Sequence, residues 1–344
     1  MALLNVPVID LAPFLAGDPE GKRAVGAAVN RACEDIGFLV ITGHRVDPQL
    51  CDRMFEESKA FFDLPLDEKL AVKQWGEDVP RGYSGMAAES VSYSRLKWTP
   101  GDLKESYSIG RLEVSADAYY HTPAAANLFA ENRWPAGRTS FKDIYSKYFR
   151  VMEGLSGTLL KIFAVALDLP EAYFEDKIDR HFSVLRVLNY PDQPEEPVPG
   201  QLRAGAHSDY TTLTILRHED EHRPGGLQVR NRVGEWVDVP AIPGSLVVNL
   251  GDMMQRWTND RWVSTMHRVV NPPRERALDS RRMSLVFFHE TNYDAIIECL
   301  PNCSTPENPA KYEPVTCGEY QRLKFTRQTT FASKADGAGD IAEG

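Results

Sequence analysis

The chain has 344 residues, 42% hydrophobic and 26% charged, with 39 basic against 49 acidic side chains and a formal charge of −10. That length and apolar content suffice for a sizeable core, in one large domain or two ordinary ones. No apolar run approaches the roughly 20 residues of a membrane span, and no basic stripe alternates with aromatics as nucleic-acid binding would need. Neither a nucleic acid nor a membrane is therefore an expected partner, and the oligomeric state is left open.

In chain order, residues 8–11 and 38–42 are predicted as strands and residues 18–36 and 47–62 as helices, the second capped by Asp47 ahead of Pro48. Residues 70–135 are irregular, rich in Gly, Ser and Trp, and suited to binding loops. From 139 to 167 Phe141, Tyr145, Tyr148, Met152, Leu155, Leu159, Ile162 and Ala166 recur at helical steps, predicting a long helix with one buried stripe. Residues 182–290 are strand-rich, punctuated by a Pro-rich loop over 192–200, by Pro243-Gly244 and by Asn271-Pro272-Pro273. Many short strands with Gly/Pro turns predict a mainly β protein with flanking helices around a double-sheet jelly roll. Residues 314–330 read as a closing helix, and the tail from 332, rich in Gly, Ala and Asp, as disordered. The expected segments are an α/β region over 1–135, the long helix within 136–180, the catalytic core over 181–292, a loop and helix over 293–331, and the tail over 332–344. Cys33, Cys51, Cys299, Cys303 and Cys317 form no C-x-x-C pair, and with no leader recognised at the start the chain reads as reduced and cytoplasmic.

Chemistry concentrates in the strand-rich part. His207 and Asp209 are two apart in a strand-like run, so their side chains would project together. A second histidine, His267, lies in another such run. Two imidazoles and a carboxylate on one face of a metal leave the other face open, the arrangement of non-haem Fe(II) oxygen chemistry. Arg282, fifteen residues past His267, and Ser284 are again two apart, in a buried-looking apolar strand. A guanidinium fork beside a hydroxyl suits the far carboxylate of a chelating dicarboxylate. His218-Glu219-Asp220-Glu221-His222 spells H-E-x-x-H, but that zinc signature works only on a helix, and the segment reads as a hairpin tip followed by Pro224-Gly225-Gly226. Of the other histidines, His44, His121 and His181 read as structural or exposed, and His289 as a candidate for the mouth of the site.

This ordered set, His-x-Asp, His, then Arg-x-Ser, resembles the 2-oxoglutarate- and Fe(II)-dependent oxygenases, in the branch related to isopenicillin N synthase. Residues 6–11, 32–44, 61–65, Arg81-Gly82-Tyr83, 104–107, 185–191, 225–229 and 249–252 carry further segments similar to that family, which together span nearly the whole chain. The similarity extends to microbial members of the thymine 7-hydroxylase type. The resemblance implies a double-stranded β-helix core, Fe(II) on His207, Asp209 and His267, and 2-oxoglutarate held by Arg282, Ser284 and Tyr190. It implies oxidation of an unactivated C–H bond of a small molecule by O2, as hydroxylation, desaturation or ring closure, with succinate and CO2 as co-products and ascorbate as a supporting reductant. By position relative to the family's pockets, Arg81, Tyr83, Lys104, Tyr107 and Phe288 are the substrate candidates, Arg81 and Lys104 hinting at a polar or anionic group. One departure stands out: many relatives have Asn two residues before the tyrosine, where this chain has Leu188, and Asn189 is the candidate substitute. The alternatives are a 2-oxoglutarate-independent oxidase of the isopenicillin N synthase kind and a non-catalytic barrel.

Overall fold

A computed structural model of the chain describes residues 5–76, 79–219 and 225–326. Its centre is an eight-stranded sheet facing a four-stranded one. In chain order the strands are β1 (Val8–Asp10), β2 (Phe38–Thr42), β3 (Gly82–Ser84), β4 (Glu105–Ile109), β5 (Val184–Tyr190) and β6 (Ala204–His207). There follow β7 (Leu213–His218), β8 (Leu227–Arg230), β9 (Trp236–Asp238), β10 (Leu246–Leu250), β11 (His267–Val269) and β12 (Arg282–His289). The large sheet runs β1-β2-β10-β7-β12-β5-β4-β3 and the small one β6-β11-β8-β9. Among the described strands only β1 and β2 pair in parallel; the other ladders are antiparallel. This is the expected jelly roll with flanking helices, and β1 to β4 from the N-terminal region extend its large sheet.

The period-two alternation of the strands sorts side chains to two cores. Along β12, Met283, Leu285 and Phe287 join the core between the large sheet and the helices. Arg282, Ser284, Val286 and Phe288 face the space between the sheets. On β5, Leu185 and Val187 pack toward the helices, while Leu188 and Tyr190 face inward with Val40, Val229, Val247 and Val269. The helix Thr139–Ala166 buries the whole expected stripe from Phe141 to Ala166 against the outer face of the sheet. Helices Pro19–Asp35 and Pro48–Phe62 pack beside it, each started by an aspartate: Gly21 N–H donates to Asp18 Oδ2 at 2.7 Å and Gln49 N–H to Asp47 Oδ1 at 3.0 Å. No described helix is long and apolar enough to cross a membrane.

Two expectations fall partly outside the described residues. The closing helix is seen over residues 317–326, its expected last turn and the tail lying beyond. His218 of the H-E-x-x-H run ends β7 rather than entering a helix, which removes the helical face that a zinc pair needs; residues 220–222 are outside the description.

Candidate metal centre

The strand argument for His207 and Asp209 needs one amendment. β6 stops at His207, so Asp209 lies just past the strand. The two side chains converge all the same, because β6 pairs with β11 so that His207 stands directly opposite His267. The imidazole centroids are 4.2 Å apart. Asp209 Oδ1 lies 3.7 Å from His207 Nε2 and 3.6 Å from His267 Nε2. Ligand atoms of all three lie within 4.8 Å of one another, and no other group of three such residues meets among the described residues.

Hydrogen bonding decides what this cluster can hold. His207 Nδ1 sits 2.8 Å from Gly205 O, and His267 Nδ1 3.1 Å from Thr265 O. A carbonyl oxygen only accepts, so each Nδ1 carries a hydrogen and each Nε2 is directed toward Asp209. Burial, followed by the neighbouring His267, pushes the His207 imidazole below its usual range. Burial alone would raise the Asp209 carboxyl, yet the two imidazoles and hydrogen bonds from Thr214 and Asn249 hold it below the usual carboxylate range. Thr214 Oγ1 and Asn249 Nδ2 both donate to Asp209 Oδ2, at 2.6 and 2.7 Å, leaving Oδ1 for the imidazoles. Three potential ligand atoms thus converge. Two nitrogens with one oxygen fit Fe(II).

An ionic chain backs His207. Gly205, whose carbonyl fixes the imidazole, donates its N–H to Asp102 Oδ1 at 3.0 Å. Asp102 Oδ2 meets Lys104 Nζ at 2.8 Å, Lys104 meets Glu89 at 3.5 Å, and Glu89 meets Arg186 Nη1 at 3.2 Å. Burial opposes charge on Glu89, but Arg186 and Lys104 overcome it and pull the carboxyl down to about 2.

At the other end of β12, Arg282 is the register partner of Tyr190, its guanidinium carbon 5.8 Å from the ring centroid. Arg282 Nη1 donates to Gly225 O at 3.1 Å, and buried Arg203 donates to the same oxygen at 3.3 Å. Burial lowers the pKa of Arg282. Ser284, two residues on, is buried on the same strand face. Tyr190 is buried there too, and burial raises its hydroxyl pKa. The arginine lines a cavity of about 480 Å³ with Gly225, Leu227 and Val239, separate from the one reached by His207 and Asp209. Asn189 does not replace the missing polar group at Leu188. One step along the strand turns it to the opposite face, where it donates to Glu105 Oε1 at 2.8 Å and accepts from Arg281 Nε at 3.1 Å.

His207 and Asp209 open onto a cavity of about 200 Å³, whose walls include Arg81, Glu89, Arg186, Phe288, Glu290 and Gln321. Of the five substrate candidates, Arg81 and Phe288 reach it and three do not. Tyr83 is buried with its hydroxyl donated to Glu105 Oε2 at 2.6 Å. Tyr107 packs among Phe61, Phe141 and Tyr145 and donates to Arg133 O at 2.6 Å. Lys104 is tied to Asp102 and Glu89 behind His207. In each case the polar atom is satisfied inside the protein. His289 misses the mouth as well: it faces the helix side, fully buried, with Nδ1 3.0 Å from Ser183 Oγ. Sequence reasoning missed Glu89, Arg186, Glu290 and Gln321. The two on or beside predicted strands, Arg186 and Glu290, share parity with Tyr190 and Phe288, and that alternation was the available signal. His44, His121 and His181 are structural or exposed as expected; His181 Nε2 pairs with Glu153 Oε1 at 2.9 Å.

Comparison with known proteins gives an independent reading. Residues 182–291 match the model of the 2OG-Fe(II) oxygenase superfamily, and residues 6–137 that of the non-haem dioxygenase in morphine synthesis N-terminal region. The 2-oxoglutarate-Fe(II) type oxidoreductase hxnY of Emericella nidulans is 34% identical over 327 residues, covering 94% of this chain and 90% of the relative. A homoarginine-6-hydroxylase of Arabidopsis thaliana is 33% identical over 313 residues, 87% of this chain and 88% of its own. A full-length Neurospora crassa protein, solved in complex with alpha-KG and thymine, superposes with a TM-score of 0.79 at 31% identity, over 96% of this chain and 97% of the other.

Proposed function

The chain belongs to the 2-oxoglutarate- and Fe(II)-dependent oxygenases and is a dioxygenase of that class, and from this premise we propose the residues and the substrate type that its activity uses. His207, Asp209 and His267 are the iron ligands, and Arg282, Ser284 and Tyr190 hold the far carboxylate of 2-oxoglutarate. The observation that carries this assignment is the meeting of three potential ligand atoms within 4.8 Å of one another, with each imidazole oriented by a backbone carbonyl. With iron and 2-oxoglutarate bound, the centre supplies oxidation of an unactivated C–H bond by O2, releasing succinate and CO2.

The protein's own residues do the positioning. Thr214 and Asn249 fix the Asp209 carboxylate, and the Gly205 and Thr265 carbonyls fix the imidazoles. Successive residues on one strand face are about 6.6 Å apart, so Phe288 is about 20 Å along β12 from Arg282. The cosubstrate clamp and the substrate wall are thereby kept apart. The substrate is a compact small molecule seated against Phe288, with Arg81 offering hydrogen bonds to an oxygen acceptor. The named relatives support this scale, since one acts on homoarginine and another was solved with thymine. The localisation we propose is cytoplasmic, from cysteine spacings that contain no C-x-x-C pair.

The test uses Fe(II)-loaded protein without oxygen. Adding 2-oxoglutarate should develop the visible charge-transfer band of a chelate. In Arg282→Ala the concentration needed should rise by about 10- to 150-fold, the equivalent of the roughly 1.5–3 kcal/mol of a charged hydrogen bond. An unchanged requirement overturns the clamp, and a native protein with no band and no succinate overturns the 2-oxoglutarate dependence.

A further inference from the structure

Every buried carboxylate among the described residues except one has a cation or the metal cluster as its partner. Four such acids are buried: Asp102, Glu105, Asp209 and Glu290. Asp102 has Lys104 at 2.8 Å, Glu105 has Lys69 at 2.8 Å, and Asp209 has the two imidazoles and the metal position between them. Glu290 has no Lys, Arg or His nitrogen within 4 Å among the described residues. Its hydrogen-bond donors are neutral: Gln321 Nε2 reaches Oε1 at 2.7 Å, and Cys317 Sγ lies 3.9 Å from Oε2. Both belong to the helical stretch 317–326, while Ser183 Oγ accepts from the Glu290 N–H at 3.0 Å and pins the backbone.

The place of this acid matters as much as its missing partner. Glu290 follows Phe288 by two residues, and both line the cavity that reaches His207 and Asp209. Gln321 lines the same cavity, so the amide that orients the carboxyl also forms part of the wall. The opposite sign is present as well. Arg81 lines the cavity with its guanidinium stacked over Gly110, and its hydrogen bonds go to the carbonyls of Pro80 and Leu128 rather than to a carboxylate. Its Nε is buried without a partner.

We propose that Glu290, oriented by Gln321, is a specificity-determining residue that binds a cationic nitrogen group of the substrate: an ammonium, amidinium or guanidinium. This deepens the proposed dioxygenase reading and rests on it. Burial raises the Glu290 carboxyl to about 8, so it stays largely protonated at neutral pH until a counter-ion arrives. A substrate cation supplies that counter-ion and joins the two hydrogen bonds already made to the oxygens, which is the condition under which a buried ion pair becomes favourable. With Arg81 the cavity holds one uncompensated group of each sign, and a substrate bearing a cation and an oxygen acceptor satisfies both.

The experiment titrates matched probes into the full-length chain loaded with Fe(II) and 2-oxoglutarate under argon, reading binding by thermal shift and by change in the visible band. The pairs are benzamidine with benzamide, benzylamine with benzyl alcohol, and phenylguanidine with phenylurea. The expected result is that a cation binds about tenfold or more tightly than its neutral partner, that Glu290→Gln removes the preference, and that Glu290→Asp keeps part of it. If no cation exceeds its partner, including the case where nothing binds, the proposal is overturned; a preference that survives Glu290→Gln overturns it too. Should the Gln variant fail to load 2-oxoglutarate, selectivity of the native protein and of the Asp variant decides. Loss of the band in the native protein would instead refute the dioxygenase reading, leaving the thermal-shift selectivity to judge Glu290.

Discussion

Asn249 touches neither a metal position nor a substrate, yet it determines which oxygen of Asp209 is free. Its amide and the Thr214 hydroxyl occupy Oδ2, so Oδ1 alone faces the imidazoles. Asn249→Ala should therefore weaken Fe(II) affinity by about 10- to 100-fold while leaving the melting temperature of the metal-free protein close to native, measured by competition with a chelator and by thermal denaturation. The candidate ligands were legible in the sequence because His207 and Asp209 are two apart and His207 and His267 sit at strand ends. Asn249 entered only as part of a family-like segment, since nothing local ties a β10 residue to a carboxylate forty positions earlier. Asn189 shows the reverse case: its type suggested a polar role near Tyr190, but neighbouring strand residues point to opposite faces. Glu290 and Gln321 come from two segments that meet only in the folded chain, so no local pattern joins them.

Strand and helix boundaries were readable where one periodicity dominates, as in the stripe from Phe141 to Ala166 and the run Phe38–Thr42. They were not readable across residues 70–135, where β4 is stabilised by pairing with β5, and β3 by pairing with β4, rather than by their own propensity. Close approach between elements is equally silent in sequence. Gly251, in the turn after β10, lies so near the loop carrying Asp209 that an added Cβ would sit 2.0 Å from Thr211 O. Gly251→Ala must push that loop away, and Asp252 N–H, which donates to Asp209 O at 2.8 Å, moves with it. A stability loss of about 1–3 kcal/mol with weaker Fe(II) binding is expected, read by denaturant titration and metal competition. The C-terminal helical stretch is the second such element. Lys324 holds Asp252 at 2.7 Å, while Gln321 and Phe325 close the cavity. Ending the chain after residue 316 should preserve the 2-oxoglutarate band but lower substrate-driven succinate release on the order of 100-fold, the effect of losing a positioning wall. Unchanged release would remove this stretch from the site.

Over the whole molecule, the buried ionic chain behind His207 couples folding to acidity. The Glu89 carboxyl is held near about 2, below its value in an unfolded chain. The stability it contributes is thus fully present above the ordinary glutamate range of roughly 4.3 and is lost as pH falls through about 2. Melting temperature measured from pH 6 downward should drop through that window, and Glu89→Gln should flatten this part of the profile while lowering stability at neutral pH. A profile of unchanged steepness in the variant would show that other carboxylates dominate acid unfolding.

The order of the large sheet also bears on how the chain is made. β2 lies between β1 and β10, and β4 lies between β3 and β5. As the nascent polypeptide leaves the ribosome, β2 can find β1 at once but exposes its other edge until residues 246–250 have emerged. Until β10 follows, an incomplete chain carries an open strand edge, prone to self-association. Fragments ending before β10 should need a chaperone to stay dispersed.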